Sequence, residues 1–159
     1  MVALGGNLAG DHPSVEALLE AAIARLGEDG LPVLRRSGWW RSAAWPDPDG
    51  PEYRNGVALV AADAGPEDVL ARLLRVEAAF DRQRGARNAP RTLDLDLIAC
   101  GRRVIDTPVL TLPHPRAHER LFVMGPLAEI APGWRHPVLG RTAAELARAA
   151  SVGRDARPV

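Results

Sequence analysis

There is no lysine anywhere in the 159 residues, and the 20 basic side chains are all arginine. The 20 acidic side chains balance them to a formal net charge of zero, which removes any overall electrostatic pull toward nucleic acid or an anionic membrane. Alongside abundant Ala, Gly and Pro, the arginine bias reads as a coding-composition effect. An arginine here is therefore not functional merely because it stands in place of lysine. The single cysteine, Cys100, excludes an intramolecular disulfide and any multi-cysteine metal site. It closes an apolar stretch and is expected to be a buried, inert thiol. No apolar run approaches the roughly 20 residues that a membrane span requires. The opening MVALGGNLAG lacks the basic start and long apolar core of a signal peptide, so a cytoplasmic location is expected. Aromatic residues are only 4% of the chain. A P-loop is absent, GGNL is too short for a dinucleotide fingerprint, and there is no GxSxG elbow.

The length suits a single domain with a substantial core, expected over residues 1–153, with residues 154–159 as a flexible tail. Residues 2–4 read as a short strand entering the turn Gly5-Gly6-Asn7. Pro13 and Ser14 open a helix whose Val15, Leu18, Leu19, Ala22, Ile23 and Leu26 recur at helical spacing, closed by Gly27 and Gly30. Residues 31–41 and 57–62 read as strands, separated by a long loop rich in Pro, Asp and Gly. A second helix begins near Pro66 behind Gly65, with Val69, Leu70, Leu73, Leu74 and Phe80 on its buried stripe. Glu77 falls on the same stripe, an awkward place for a charge, and is expected to pair with an arginine or a backbone donor.

Next come an Arg-rich polar segment and a strand at RTLDLDLIAC. Then follow a hairpin at GRRVIDTPVLTLP, a helix broken at Gly125-Pro126, and a short helix with the capping box Thr142–Glu145. The order is βαββαβ plus extra elements. It predicts an α+β fold with a ferredoxin-like core, an antiparallel sheet between helix layers, and additional C-terminal helices. That architecture alone decides no function.

The strand carries the chemistry. Side chains alternate along it, so Thr92, Asp94 and Asp96 point one way and Leu93, Leu95 and Leu97 the other. The two aspartate Cα atoms then stand about 7 Å apart. Two anions at that separation repel by roughly 2 kcal/mol at an effective dielectric near 20. A solvated sheet face tolerates this; a cleft does not unless cations compensate. Taken alone, D-x-D is what an amphipathic strand facing water produces. The neighbourhood tips the reading. Arg82, Arg84, Arg87 and Arg91 precede the pair, and His114, Arg116, His118 and Arg120 follow it. Carboxylates to hold Mg²⁺ and guanidinium forks to hold phosphate oxygens are what a metal–polyphosphate site requires.

The segments RNAPRTLDLDLI and LPHPRAHERLFVMGPLAEIAP, with GGNL upstream, resemble 6-hydroxymethyl-7,8-dihydropterin pyrophosphokinase of folate biosynthesis. The resemblance runs from about residue 3 to 132. PRTLDLD combined with LPH and the R-x-F of Arg120 and Phe122 is its specific part. It implies an enzyme transferring pyrophosphate from ATP to a pterin alcohol. Asp94 and Asp96 would ligate two Mg²⁺ ions. Arg82 and Arg91 would grip the triphosphate and the transition state, with Arg84 nearby on a loop. His114 and Arg120 would contact phosphate, and Thr111 and the Leu97 backbone would lie near adenine. Asn55 would hydrogen-bond the pterin edge, with Tyr53 and Phe122 sandwiching its ring and Ser42 and Trp45 contributing around it.

The chain departs from the family pattern at residues 42–46, where Thr-x-Pro is usual. It departs again at Leu74, where Gln is frequent, at Asn88 in place of Trp, and at Pro115 in place of an aromatic. The implied partners are the two small-molecule substrates, with neither nucleic acid nor membrane, and a monomer is expected. The rivals are a catalytically silent pterin or nucleotide sensor of the same fold, which would release no AMP, and a ferredoxin-like RNA-binding module. The latter lacks the aromatic RNP signature. A metal-dependent nuclease would need further carboxylates.

Overall fold

The computed structural model describes residues 1–44, 49–80 and 92–159. Trp45, Arg82, Arg84, Asn88 and Arg91 lie outside the described residues.

Strand β1 (Val2–Gly6) leads to helix α1 (Val15–Glu28). Ser14 caps α1, its hydroxyl accepting from the Ala17 N–H at 3.1 Å. Leu18, Leu19, Ala22 and Leu26 form its buried face, as the spacing predicts. Gly30 takes a positive φ of 78°, allowing Leu31 N–H to reach back to the Leu26 carbonyl at 2.8 Å.

The strand predicted over residues 31–41 is two pieces, β2 (Val33–Arg36) and β3 (Trp40–Ser42). The break comes from contacts across the sheet. The Ser37 hydroxyl donates to the Gly38 carbonyl at 2.7 Å and accepts from Val57 N–H at 3.0 Å, while Ser37 N–H still donates to the Val57 carbonyl at 2.9 Å, so a side chain replaces one backbone acceptor. The Trp39 ring then covers Gly56, where a Cβ would sit 2.5 Å from the indole.

Strand β4 (Tyr53–Val60) starts earlier than the predicted residue 57 because β1 and β3 both pair with its first half. Helix α2 (Pro66–Ala79) buries Val69, Leu73, Val76 and Glu77. Leu74, predicted on that stripe, is instead 41% exposed. Strand β5 (Asp94–Leu97) follows, and the hairpin β6 (Ile105–Asp106) and β7 (Thr111–Leu112) forms as expected. Cys100 is partly exposed rather than buried.

Helix α3 (Leu121–Ile130) runs through Pro126 without the predicted break. Burial of Val123, Met124, Leu127 and Ile130 pins both sides of the proline, and Gly125 lies flat under the Trp40 ring. Trp40 Nε1 donates to Glu129 Oε1 at 2.6 Å, tying α3 to β3. Helix α4 (Ala143–Ala149) carries the predicted capping box. Within residues 154–159, strand β8 (Arg157–Pro158) pairs along the outer edge of β3. The open edge of β3 supplies backbone partners that no local pattern in the tail announces.

The antiparallel sheet has the order β5-β1-β4-β3-β8, with β2 also paired to β4. Helices α1 and α2 cover one face through a core containing Val2, Leu4, Leu95 and Leu97. Helices α3 and α4 pack on the other through Val57, Val123, Met124 and Leu146. The result is a mixed α+β fold. In no described helix is an apolar stretch long enough to cross a membrane.

Candidate active site

The register of β1 against β5 builds the acidic end of the site. Asp94 pairs with Gly5 and Asp96 with Ala3, so both carboxylates rise from the sheet beside positions with at most a methyl group. Leu95 and Leu97 turn the other way into the α2-side core. Strand β5 is held from its free edge by α2: the buried carboxylate of Glu77 accepts from Leu95 N–H at 2.7 Å. The expected partner of Glu77 is thus a backbone donor on the residue between the two aspartates.

Cationic groups come from the segment leading into α3. Arg120 caps α3 and places Nη1 4.0 Å from Asp96 Oδ2, with its guanidinium carbon 5.7 Å from the centre of the Phe122 ring. His114 is fixed by its backbone N–H, which donates to the Ile98 carbonyl at 2.8 Å. Its Nδ1 accepts from Arg116 N–H at 3.2 Å, which leaves the ring proton on Nε2. Burial lowers the His114 pKa below 6.5, Asp96 opposes that shift, and Arg120 and Arg116 reinforce it. At neutral pH the ring is therefore a neutral donor.

The opposite wall comes from β4 and α3. Asn55 lies across from Gly5, and its Nδ2 donates to the Ser42 hydroxyl at 3.0 Å in a buried bond. That bond fixes which way the amide points. A Cβ on residue 5 would sit 3.2 Å from Asn55 Oδ1, so glycine lets the amide close over β1. A pocket of about 60 Å³ joins Asp94, Asp96, Arg120, Asn55 and Phe122.

Of the residues singled out in the sequence, these five share one concavity, with Ser42 bonded behind Asn55 and His114 close enough to Asp96 and Arg120 to feel both charges. Tyr53 pairs with Ser42 on the same sheet face. Thr111 is exposed on β7, outside this pocket, and the Leu97 side chain points into the core. The sequence reading missed Ala3 and Gly5 as floor residues. GGNL was the available signal, and only the pairing of β1 with β5 gives it that meaning. It also missed Gly153, which lies against Phe122.

Among the described residues no group of three or more potential metal ligands occurs. A pair of carboxylates over a floor of small residues fits a hard divalent cation that completes its shell with water and phosphate oxygens.

Residues 1–132 match the family model of 7,8-dihydro-6-hydroxymethylpterin-pyrophosphokinase. The chain belongs to this family. As a member of the pyrophosphokinase family it is an ATP-dependent enzyme of folate biosynthesis. Among its relatives, 2-amino-4-hydroxy-6-hydroxymethyldihydropteridine pyrophosphokinase of Synechocystis is 43% identical over 147 residues, covering 92% of this chain and 73% of the relative. The Pseudomonas aeruginosa protein of the same name is 39% identical over 136 residues, covering 86% and 82%. That of Haemophilus influenzae is 37% identical over 130 residues, covering 82% and 79%. The pyrophosphokinase family model ends at residue 132, before α4 and β8.

Proposed function

We propose that this site transfers the terminal diphosphate of ATP to the hydroxymethyl group of 6-hydroxymethyl-7,8-dihydropterin. The hydroxyl oxygen bonds to the β-phosphorus, the bond from that phosphorus to the α–β bridging oxygen breaks, AMP leaves, and the hydroxyl proton passes to solvent. The observation that carries this reading is the convergence of Asp94 and Asp96 with Arg120, Asn55 and Phe122 on one pocket.

Asp94 and Asp96 would hold two Mg²⁺ ions on the β1–β5 floor. When bound, magnesium neutralises phosphate charge and aligns the phosphate chain. Arg120 and the Nε2–H of neutral His114 donate to phosphate oxygens. Arg82 and Arg91, and with them Arg84, are the residues that the family resemblance assigns to gripping the triphosphate as charge shifts during transfer. Thr111 and the Leu97 backbone lie toward adenine. Asn55, oriented by Ser42, offers the pterin edge an amide, while Phe122 and Tyr53 present ring faces; the family resemblance assigns Trp45 to the pterin as well. Chemistry of this type rests on positioning and charge neutralisation, which suits a site with no evident general base.

We read the sheet order as a ferredoxin-like core with added C-terminal helices, forming one catalytic domain. The protein acts as a cytoplasmic monomer on small molecules, and its zero net charge gives no support to nucleic-acid or membrane binding.

The deciding experiment measures AMP release from ATP and Mg²⁺ with and without the pterin. Pterin-dependent AMP is expected. Binding of both ligands without AMP would mean a silent sensor instead.

A further inference from the structure

We infer that the segment following α4, residues 151–159, is a positioning strap for the pterin half of the site, an inference that rests on the reaction assigned above. The strap lies beyond the segment that matches the family model.

Its course touches both halves of the pterin wall. Ser151 and Val152 N–H groups donate to the Glu119 carbonyl at 3.0 and 2.9 Å, and Leu121 N–H donates to Val152 O at 2.9 Å. The strap is thereby laid parallel to Arg120 at the mouth of the pocket. Gly153 then turns with a φ of +66° directly against Phe122. A Cβ at 153 would stand 2.9 Å from Phe122 Cε1 and closer still to Cδ1. Two independent constraints, the left-handed backbone and the ring contact, exclude a side chain there. Ala156 N–H closes the turn on Gly153 O at 3.0 Å.

Asp155, exposed on that turn, uses Oδ2 to accept from the Ala43 backbone N–H. Ala43 follows Ser42, whose hydroxyl holds the Asn55 amide. Pairing of β8 with β3 and the bond from Val159 N–H to Trp39 O at 3.0 Å fasten the far end. Covering the edge of β3 requires only β8. It requires neither a glycine against Phe122 nor a carboxylate on Ala43. Those two features point at the ring and the amide that face the pterin.

The test compares Gly153→Ala, Asp155→Ala and Asp155→Asn with the wild-type chain. Pterin affinity is read by pterin fluorescence in the presence of Mg²⁺ and a non-hydrolysable ATP analogue. KM for each substrate and the melting temperature are measured in parallel. Gly153→Ala is expected to weaken pterin binding roughly tenfold, since small displacements of a positioning group cost heavily. Asp155→Ala should weaken it by a few-fold, as for one lost hydrogen bond. KM for ATP should stay within about twofold of wild type, since the two contacts altered, Gly153 on Phe122 and Asp155 on Ala43 N–H, lie on the pterin side. Asp155→Asn keeps an acceptor for Ala43 N–H and should restore binding. If Gly153→Ala fails to fold, the Asp155 pair carries the test. Unchanged pterin affinity in the folded variants, or an equal loss for ATP, overturns the inference. A wild-type chain that binds pterin but releases no AMP would sink the assigned reaction while leaving the strap measurable by fluorescence.

Discussion

Glu77 on α2 accepts the backbone N–H of Leu95 at 2.7 Å, and Leu95 is the residue between Asp94 and Asp96. A carboxylate that is only 1% exposed is thus spent on steadying the strand that displays the two acidic side chains. Among the described residues, strand β5 lies at the end of the sheet and pairs with β1 alone. Its outward N–H groups need partners from elsewhere, and α2 supplies one. Removing the acceptor leaves a buried donor unsatisfied. Glu77→Ala should therefore destabilise the protein by about 1–3 kcal/mol in urea unfolding. Glu77→Gln keeps an acceptor oxygen and should lose less. Equal losses in the two variants would show that the bond to Leu95 is not what Glu77 supplies.

If Asp94 and Asp96 hold the metal as proposed, Asp94→Ala and Asp96→Ala should each lower turnover by roughly a thousandfold or more, because electrostatic stabilisation of the transferring group would be concentrated there. Both side chains are partly exposed and face the pocket, so the melting temperature should change little. A variant with near wild-type rates would remove that carboxylate from the metal site.

Ser42→Ala removes the hydroxyl that accepts from Asn55 Nδ2 and frees the amide to flip. One neutral hydrogen bond has a net value of about 0.5–1.5 kcal/mol, which converts to roughly a two- to tenfold rise in KM for the pterin. KM for ATP should not follow. A parallel rise in both would mean that Ser42 supports the fold of β3 and not the orientation of Asn55.

Buried His136 offers a pH test away from the site. Its Nδ1 accepts from Val138 and Leu139 N–H groups at 3.3 and 3.1 Å. Burial, reinforced by nearby His118, lowers its pKa below the ordinary 6.5. The unfolded chain therefore takes up this proton first. The stability from neutral His136 is present above pH 6.5 and is lost as the pH falls through 6.5 toward the lower folded value. Thermal melts from pH 7.5 down to 5.5 should show a falling melting temperature, and His136→Gln should flatten part of that slope. An unchanged slope would mean that other groups dominate the acid limb.

Much of this was legible locally. The face of α1, the caps at Ser14 and Thr142, and the hairpin after Cys100 follow from spacing and turn chemistry, which act within a few residues. The common face of Asp94 and Asp96 is equally local, because alternation is a property of one extended strand. Other readings failed where distant partners intervened. Residues 31–41 look like one strand until Ser37 bonds to Val57 and Trp39 settles on Gly56. Gly125-Pro126 looks like a break until the Trp40 ring and the buried turns around it hold α3 together.

The sequence by itself determined that two carboxylates would share one side of a strand, beside a guanidinium-rich chain and within a family-specific set of residues. Only the tertiary structure decided that Ala3 and Gly5 would floor that side, that Arg120 and Phe122 would arrive from α3, and that the chain's last residues would pack behind Phe122. Periodicity fixes which way a side chain points because it depends on the local backbone. What the side chain meets depends on pairings between residues far apart in the chain, and those are settled only when the sheet closes and the core packs.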